Sequence, residues 1–178
     1  MITEFEITEE DMKKADEFAK GCIERGITDP DDARGVNGGS IFQRFYQGYL
    51  GEIAFNKFLI ANKVKDKILW SRDGDETAGK GDFSFGEKII DVKTATQNFH
   101  IRLMIPVAQY NRFKCAYYVA LKRENNKIVV KGYATAEDLE KAEIGDFGIG
   151  ATKWIFHSKL RDIKGLVEQE ILKKWEKL

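Results

Sequence analysis

Cysteine is nearly absent from this chain. Cys22 and Cys115 stand far apart in sequence, which excludes a disulfide framework and lacks the spacing of a zinc site. A reducing, cytosolic setting is the expectation that follows. No apolar run approaches the roughly 20 residues of a transmembrane helix, so no membrane partner is expected. The start, Met1-Ile2-Thr3-Glu4-Phe5-Glu6, is acidic and has neither a basic region nor a cleavable apolar stretch, which argues against a signal peptide. There is no internal repeat, and no Gly-Lys-Ser/Thr follows Gly35-Val36-Asn37-Gly38-Gly39-Ser40, so that stretch is not a phosphate-binding loop. Ser40 and Ser158 lie in no nucleophile-elbow pattern. Net charge is missing too: 29 Lys+Arg balance 29 Asp+Glu, which argues against non-specific nucleic-acid binding by bulk charge.

What is present fits one α/β domain. The length of 178 residues suits a single domain with an added helical arm, and 43% apolar residues suffice for a core. We divide the chain into a helical N-terminal extension with a flexible loop (1–40) and an α/β domain with a C-terminal helix (41–178). Thr8-Glu9-Glu10-Asp11 offers a cap and an acidic first turn, and Met12, Ala15, Phe18, Ala19, Cys22 and Ile23 recur at helical spacing up to Gly26. Residues 28–40 form the clearest loop. A long helix, about 41–61, carries Gly48 and Gly51, which are usually kept for close packing. Strands are expected at 67–71, 82–85 and 88–94, with a hairpin turn at Gly86-Glu87, and at 115–122 and 128–135 around Glu124-Asn125-Asn126. Tyr117 and Tyr118 alternate there as one core and one surface aromatic. A short helix follows Pro106, another starts at Thr135, Trp154–Phe156 reads as a short strand, and a helix covers about 165–177. This order suggests a mixed sheet flanked by helices.

Charge is segregated along the chain. Residues 1–35 are net −6, whereas residues 100–133 carry Arg102, Arg112, Lys114, Lys122, Arg123, Lys127 and Lys131 against Glu124 alone, net +6. The basic section reads either as solvated faces or as a phosphate-contacting surface.

The chemistry lies in Gly81-Asp82-Phe83-Ser84-Phe85-Gly86-Glu87-Lys88-Ile89-Ile90-Asp91-Val92-Lys93-Thr94. Residues two apart share a strand face, so Ile89, Asp91 and Lys93 point one way and Ile90, Val92 and Thr94 the other. Charge in an otherwise apolar strand is costly unless paired or bound. A tight hairpin brings Asp82 toward Asp91, and converging carboxylates are naturally neutralised by a hard, oxygen-ligated divalent cation such as Mg²⁺.

This pattern, Asp82 with Asp91-Val92-Lys93, resembles the PD-(D/E)XK nuclease superfamily, the fold of many restriction enzymes and Holliday-junction resolvases. That family also tends to place a Glu on the preceding helix. Gly48-Tyr49-Leu50-Gly51-Glu52-Ile53-Ala54-Phe55 fits, with Glu52 as the acid. The resemblance covers about Ile41 to Thr135, and Gly81 stands where the motif name has Pro. It implies a restriction-endonuclease-like fold and Mg²⁺-dependent hydrolysis of DNA phosphodiester bonds, more naturally as an endonuclease, with Mn²⁺ able to substitute. Asp82 and Asp91 would bind the metal, with the backbone carbonyl of Val92 as a further ligand and Glu52 completing the shell. Lys93 would orient or help deprotonate the attacking water, or stabilise developing charge. Gln97, His100, Arg102, Arg112 and Lys114 would contact nucleic acid, although an ordinary polar loop explains the first three equally well. His157, near Lys153, Lys159 and Arg161, reads as a second phosphate patch or as a helix start. The resemblance also allows a homodimer. The competing expectation is an inactive protein of the same fold that binds nucleic acid or protein.

Overall fold

The structure is a computed structural model and describes residues 1–27, 41–65, 68–70 and 81–172. The expected loop at 28–40, both ends of the expected 67–71 strand, and the end of the C-terminal helix with Trp175 lie outside them.

The chain opens with a strand that sequence reading did not anticipate, β1 (Glu4–Glu6), followed by α1 (Glu9–Glu24). The Thr8 side chain accepts from Asp11 N at 3.2 Å, and Asp11 Oδ2 accepts from Thr8 N at 2.8 Å. This capping box satisfies two otherwise orphaned N–H groups and fixes where the helix starts. The face bearing Ala15, Ala19 and Cys22 is buried, and Phe18 stacks on Tyr49 of α2 (Ile41–Ala61) at 4.2 Å. Next come β2 (Leu69–Trp70), β3 (Phe83–Phe85), β4 (Lys88–Ala95), β5 (Arg102–Pro106), α3 (Val107–Arg112), β6 (Tyr117–Glu124), β7 (Lys127–Thr135), α4 (Ala136–Glu140), β8 (Glu143–Asp146), β9 (Ala151–Phe156) and α5 (Ile163–Leu172). Among the described residues no helix is long and apolar enough to cross a membrane.

The main sheet is mixed, in the order β1-β7-β6-β4-β3-β2. Both expected hairpins form: β3 with β4, and β6 with β7. The parallel pair is β4 with β6, which places Asp91 beside Tyr118 and Lys93 beside Ala120. A parallel neighbour requires a crossover, and the chain makes it through β5 and α3. One face of the sheet packs on α2. Ile90 and Val92 of β4 and Val119 and Leu121 of β6 meet Leu50, Ala54, Phe55 and Phe58 there. The other face is covered by β5, α3 and α4, where Tyr118 and Ala120 meet Leu103, Ile105, Tyr110 and Leu139. The strand β6 is therefore sandwiched, and both Tyr117 and Tyr118 are buried. The expected surface tyrosine is a core residue because this strand has two covered faces.

The second departure from the sequence reading is a separate antiparallel sheet, β5-β9-β8. Gly145–Gly150, whose glycines suggest a turn, includes the end of β8, and the expected Trp154–Phe156 strand extends back to Ala151.

Of the two glycines inside α2, Gly48 faces open space, whereas a Cβ on Gly51 would lie 1.8 Å from Thr94 Oγ1 on β4. Gly51 is what lets α2 sit against the strand carrying Asp91 and Lys93. Gly51→Ala should therefore destabilise the fold by about 1–3 kcal/mol through overpacking, despite Ala being the better helix former. Thr94→Ala in the same chain should recover part of that loss, read from urea melts as a double-mutant cycle. Strictly additive effects would show that the two positions do not meet.

Candidate active site

Three elements bring four charged side chains together. Alternation on β4 turns Ile90 and Val92 into the α2 core and leaves Asp91 and Lys93 on the opposite face. Asp91 is only 6% exposed, so its charge needs a partner, and Lys93 Nζ lies 2.9 Å from each of its oxygens. The angle favours Oδ1, which takes the hydrogen bond and leaves the buried Oδ2 without one. Asp82 precedes β3. Its backbone N–H donates to Ile90 O at 3.0 Å, and its Oδ2 accepts from Val92 N at 2.7 Å. The expected approach of Asp82 to the Asp91 strand is thus made, through the Val92 backbone.

Electrostatics tie Glu52 into the same group. Burial drives the Asp82 carboxyl well above its ordinary pKa, the nearby charges of Glu52 and Asp91 push it further, and Lys93 with the Val92 N–H pulls against them. Burial by itself would lower the Lys93 pKa, but Asp91 and Asp82 outweigh it and hold the ammonium above its usual value. Asp91 and Asp82 thus share the Lys93 ammonium, and Glu52 acts on the Asp82 carboxyl.

Glu52 is 4% exposed and accepts from Trp70 Nε1 at 3.0 Å. The Trp70 ring is fixed in a row of aromatics: it stacks on Phe83 at 5.8 Å and on Tyr49 at 5.6 Å, and Tyr49 stacks in turn on Phe18. Sequence reasoning missed Trp70, because the pairing of β2 with β3 is what carries it to Glu52. It also missed Cys115 and Tyr118 beside the acids. Burial and the neighbouring Asp91 push the Cys115 thiol up to about 12, so it stays protonated. Tyr118 is likewise raised, chiefly by burial, and its hydroxyl accepts from Cys115 N at 2.9 Å. Only the parallel register of β4 and β6 reveals these neighbours.

Among the described residues, no three His, Cys, Asp or Glu side chains converge closely enough to hold a metal ion. Asp91 is turned to Lys93, and Glu52 to Trp70. The donor chemistry nevertheless suits a hard divalent cation: every acid here is an oxygen donor, and the Asp91 Oδ2 atom is buried without a hydrogen bond.

The remaining candidates spread out along the chain from this cluster. Gln97 is exposed in the turn after β4. His100 is half-buried, edge-on to Phe99 at 4.6 Å, with its pKa lowered by burial and by Lys122. Arg102 opens β5 and sits among aromatic rings. Arg112 is exposed at the end of α3, and Lys114 is ion-paired with Glu140. The +6 section is offset in space by acids from elsewhere in the chain, since Lys127 lies 3.9 Å from Glu4. His157 begins a 3₁₀ turn (His157–Lys159) without a side-chain cap, so the simpler alternative of a capped helix start is not what forms there.

No family model, no curated protein and no solved structure matches this chain.

Proposed function

We propose that this protein is a divalent-cation-dependent nuclease of restriction-endonuclease-like fold, hydrolysing phosphodiester bonds of DNA, as an endonuclease. One observation supports the reading: Asp91 pairs with Lys93 on β4, Asp82 docks on the Val92 backbone beside them, and the charge of Glu52 on α2 reaches Asp82. An acidic cluster with a single ammonium is poorly balanced by itself and well balanced by Mg²⁺ or Mn²⁺. Asp82 and Asp91 would hold the cation, with Glu52 and the Val92 carbonyl completing its shell. When bound, it supplies Lewis-acid stabilisation of phosphate charge and a more acidic water.

The residues of the chain supply the rest. Lys93, held as an ammonium by Asp91 and Asp82, is a hydrogen-bond donor at neutral pH. It is placed to orient the attacking water or to stabilise a phosphate oxygen. Trp70 fixes one oxygen of the Glu52 carboxylate by donating a hydrogen bond to it. Water adds to phosphorus as the bond to the leaving oxygen breaks; the attacking water gives up a proton to solvent and the leaving oxygen takes one from solvent.

A second reading is favoured by the closed Lys93–Asp91 pair and the lack of a three-ligand group among the described residues. In it, the same fold is an inactive module that binds nucleic acid or protein. One experiment separates the two. The full chain is incubated with plasmid, linear, branched and single-stranded DNA and with RNA, with Mg²⁺ or Mn²⁺, and with Lys93→Ala as control. The nuclease reading expects metal-dependent cleavage and a metal-induced rise in melting temperature, equivalent to about 2.7 kcal/mol at a hundredfold excess over Kd. Binding without cleavage and without that rise supports the inactive module.

A further inference from the structure

Outside the acidic cluster, the most unusual charge in the molecule is Arg102. Its guanidinium lies 5.3 Å from the Phe147 ring centre, 5.0 Å from Trp154 and 4.8 Å from Phe156. The rings stand nearly at right angles, Phe147 to Trp154 at 89° and Trp154 to Phe156 at 83°. The sheet β5-β9-β8 builds this cage: Arg102 pairs with Phe156 and Met104 with Trp154, so both aromatics on β9 fall on the Arg102 face. Phe147 closes it from the turn after β8. The Asp146 carboxylate next to it is spent on its own turn, accepting from Gly148 N at 2.8 Å and Gly150 N at 3.2 Å.

The rings satisfy the faces of the guanidinium and leave its N–H edge without acceptors. Arg102 Nε is buried without a hydrogen bond, and the side chain makes no ion pair or hydrogen bond among the described residues. Lys131, itself paired with Glu124 at 2.7 Å, and Lys122 lie close enough to the His157 ring to depress its pKa, second to burial. Lys159 sits over the outer ring, 6.0 Å from the Phe156 centre. A half-buried guanidinium with no carboxylate partner among the described residues is unfavourable unless an anion completes it. A planar fork held rigid on aromatic faces is the form of side chain that matches a phosphate, two donors to two oxygens.

We propose that Arg102, clamped by Phe147, Trp154 and Phe156, is a preformed phosphate receptor that grips a nucleic-acid strand away from the acidic cluster. The chemistry of the receptor stands without the nuclease reading; that its phosphate belongs to a nucleic acid rests on it. The loop 96–101 joins the end of β4, the strand that carries Lys93, to Arg102 at the start of β5.

The test uses the full chain in EDTA, where no cleavage occurs. The Arg102 Nε–H resonance, displaced by the rings and assigned by its loss in Arg102→Gln, is followed while inorganic phosphate and then an oligodeoxynucleotide are added. Saturable shifts with both assign a general phosphate site; shifts with the oligonucleotide alone assign a strand-specific one. Arg102→Gln should weaken oligonucleotide binding about tenfold and lower the slope of log K against log salt by about 1. Arg102→Lys, which keeps the charge and loses the planar fork, should retain the slope and still bind more weakly than wild type. Unchanged affinity in Arg102→Gln of wild-type melting temperature, or no shift with either ligand, overturns the proposal. Arg102-dependent binding in a chain that cleaves nothing with Mg²⁺ or Mn²⁺ upholds the receptor and removes the nuclease reading alone.

Discussion

Asp91→Asn and Lys93→Ala should each lower metal-dependent cleavage by about a thousandfold or more, on the scale lost when one charge-stabilising group is removed from a preorganised site. The two variants should part in their response to Mg²⁺. Asp91→Asn keeps the shape of the side chain and removes an anionic oxygen donor, so the melting temperature should no longer rise with metal. Lys93→Ala leaves both Asp91 oxygens, now 2.9 Å from Nζ, without their ammonium. That variant should melt lower in EDTA, by about 1–3 kcal/mol, because a carboxylate only 6% exposed loses its counter-charge. It should regain more stability from Mg²⁺ than wild type does, since the cation then takes the place of the lost ammonium. Initial rates on plasmid, with melts at several metal concentrations, check both. Full activity in either variant would sink the nuclease assignment. Loss of the metal response in both would mean that Lys93 organises the acids rather than the chemistry.

Local chemistry was legible in the sequence and distant pairing was not. Both capping boxes, Thr8 with Asp11 and Thr135 with Asp138, are set by residues three apart and form where the spacing placed them. The hairpins around Gly86-Glu87 and Asn125-Asn126 are equally local. The period-two pattern on β4 correctly separated Asp91 and Lys93 from Ile90 and Val92. The strands β1 and β8 were missed because three or four residues such as Glu-Phe-Glu carry no periodicity. They are strands only because β7 and β9 lie beside them. β5 was missed for a related reason: Arg102-Leu-Met-Ile-Pro does not alternate in polarity, yet Leu103 and Ile105 point inward and Arg102 outward. The same limit affects charge. Counting along the chain made residues 100–133 a basic block, but Glu140 and Glu4 neutralise parts of it from segments counted separately. The caged Arg102, in contrast, has no such acid among the described residues, so the unpaired charge found there is narrower than the sequence suggests.

Gly81→Pro should damage the protein more than any other single change near the site, although it would make the chain agree better with the motif it resembles. Gly81 has φ +85°, and proline is confined to about −65°. A Cβ at this position would stand 2.1 Å from Ile89 Cγ2 and 3.3 Å from Ile90 O, the atom that accepts from Asp82 N. The backbone turn and the Asp82 hydrogen bonds are therefore one unit: glycine supplies the positive φ, the turn directs Asp82 N to Ile90 O, and its carboxylate is then carried to Val92 N. Gly81→Ala, strained by φ and by contact with Ile89, should lose about 1–3 kcal/mol. Gly81→Pro cannot keep the turn and should lose about 3 kcal/mol or more, with cleavage falling to the level of Asp91→Asn even at temperatures where the chain stays folded. Urea melts and plasmid-cleavage rates on the same preparations measure the two effects. Wild-type rates in a folded Gly81→Pro chain would mean that Asp82 is not among the working acids, and that Glu52 and Asp91 suffice.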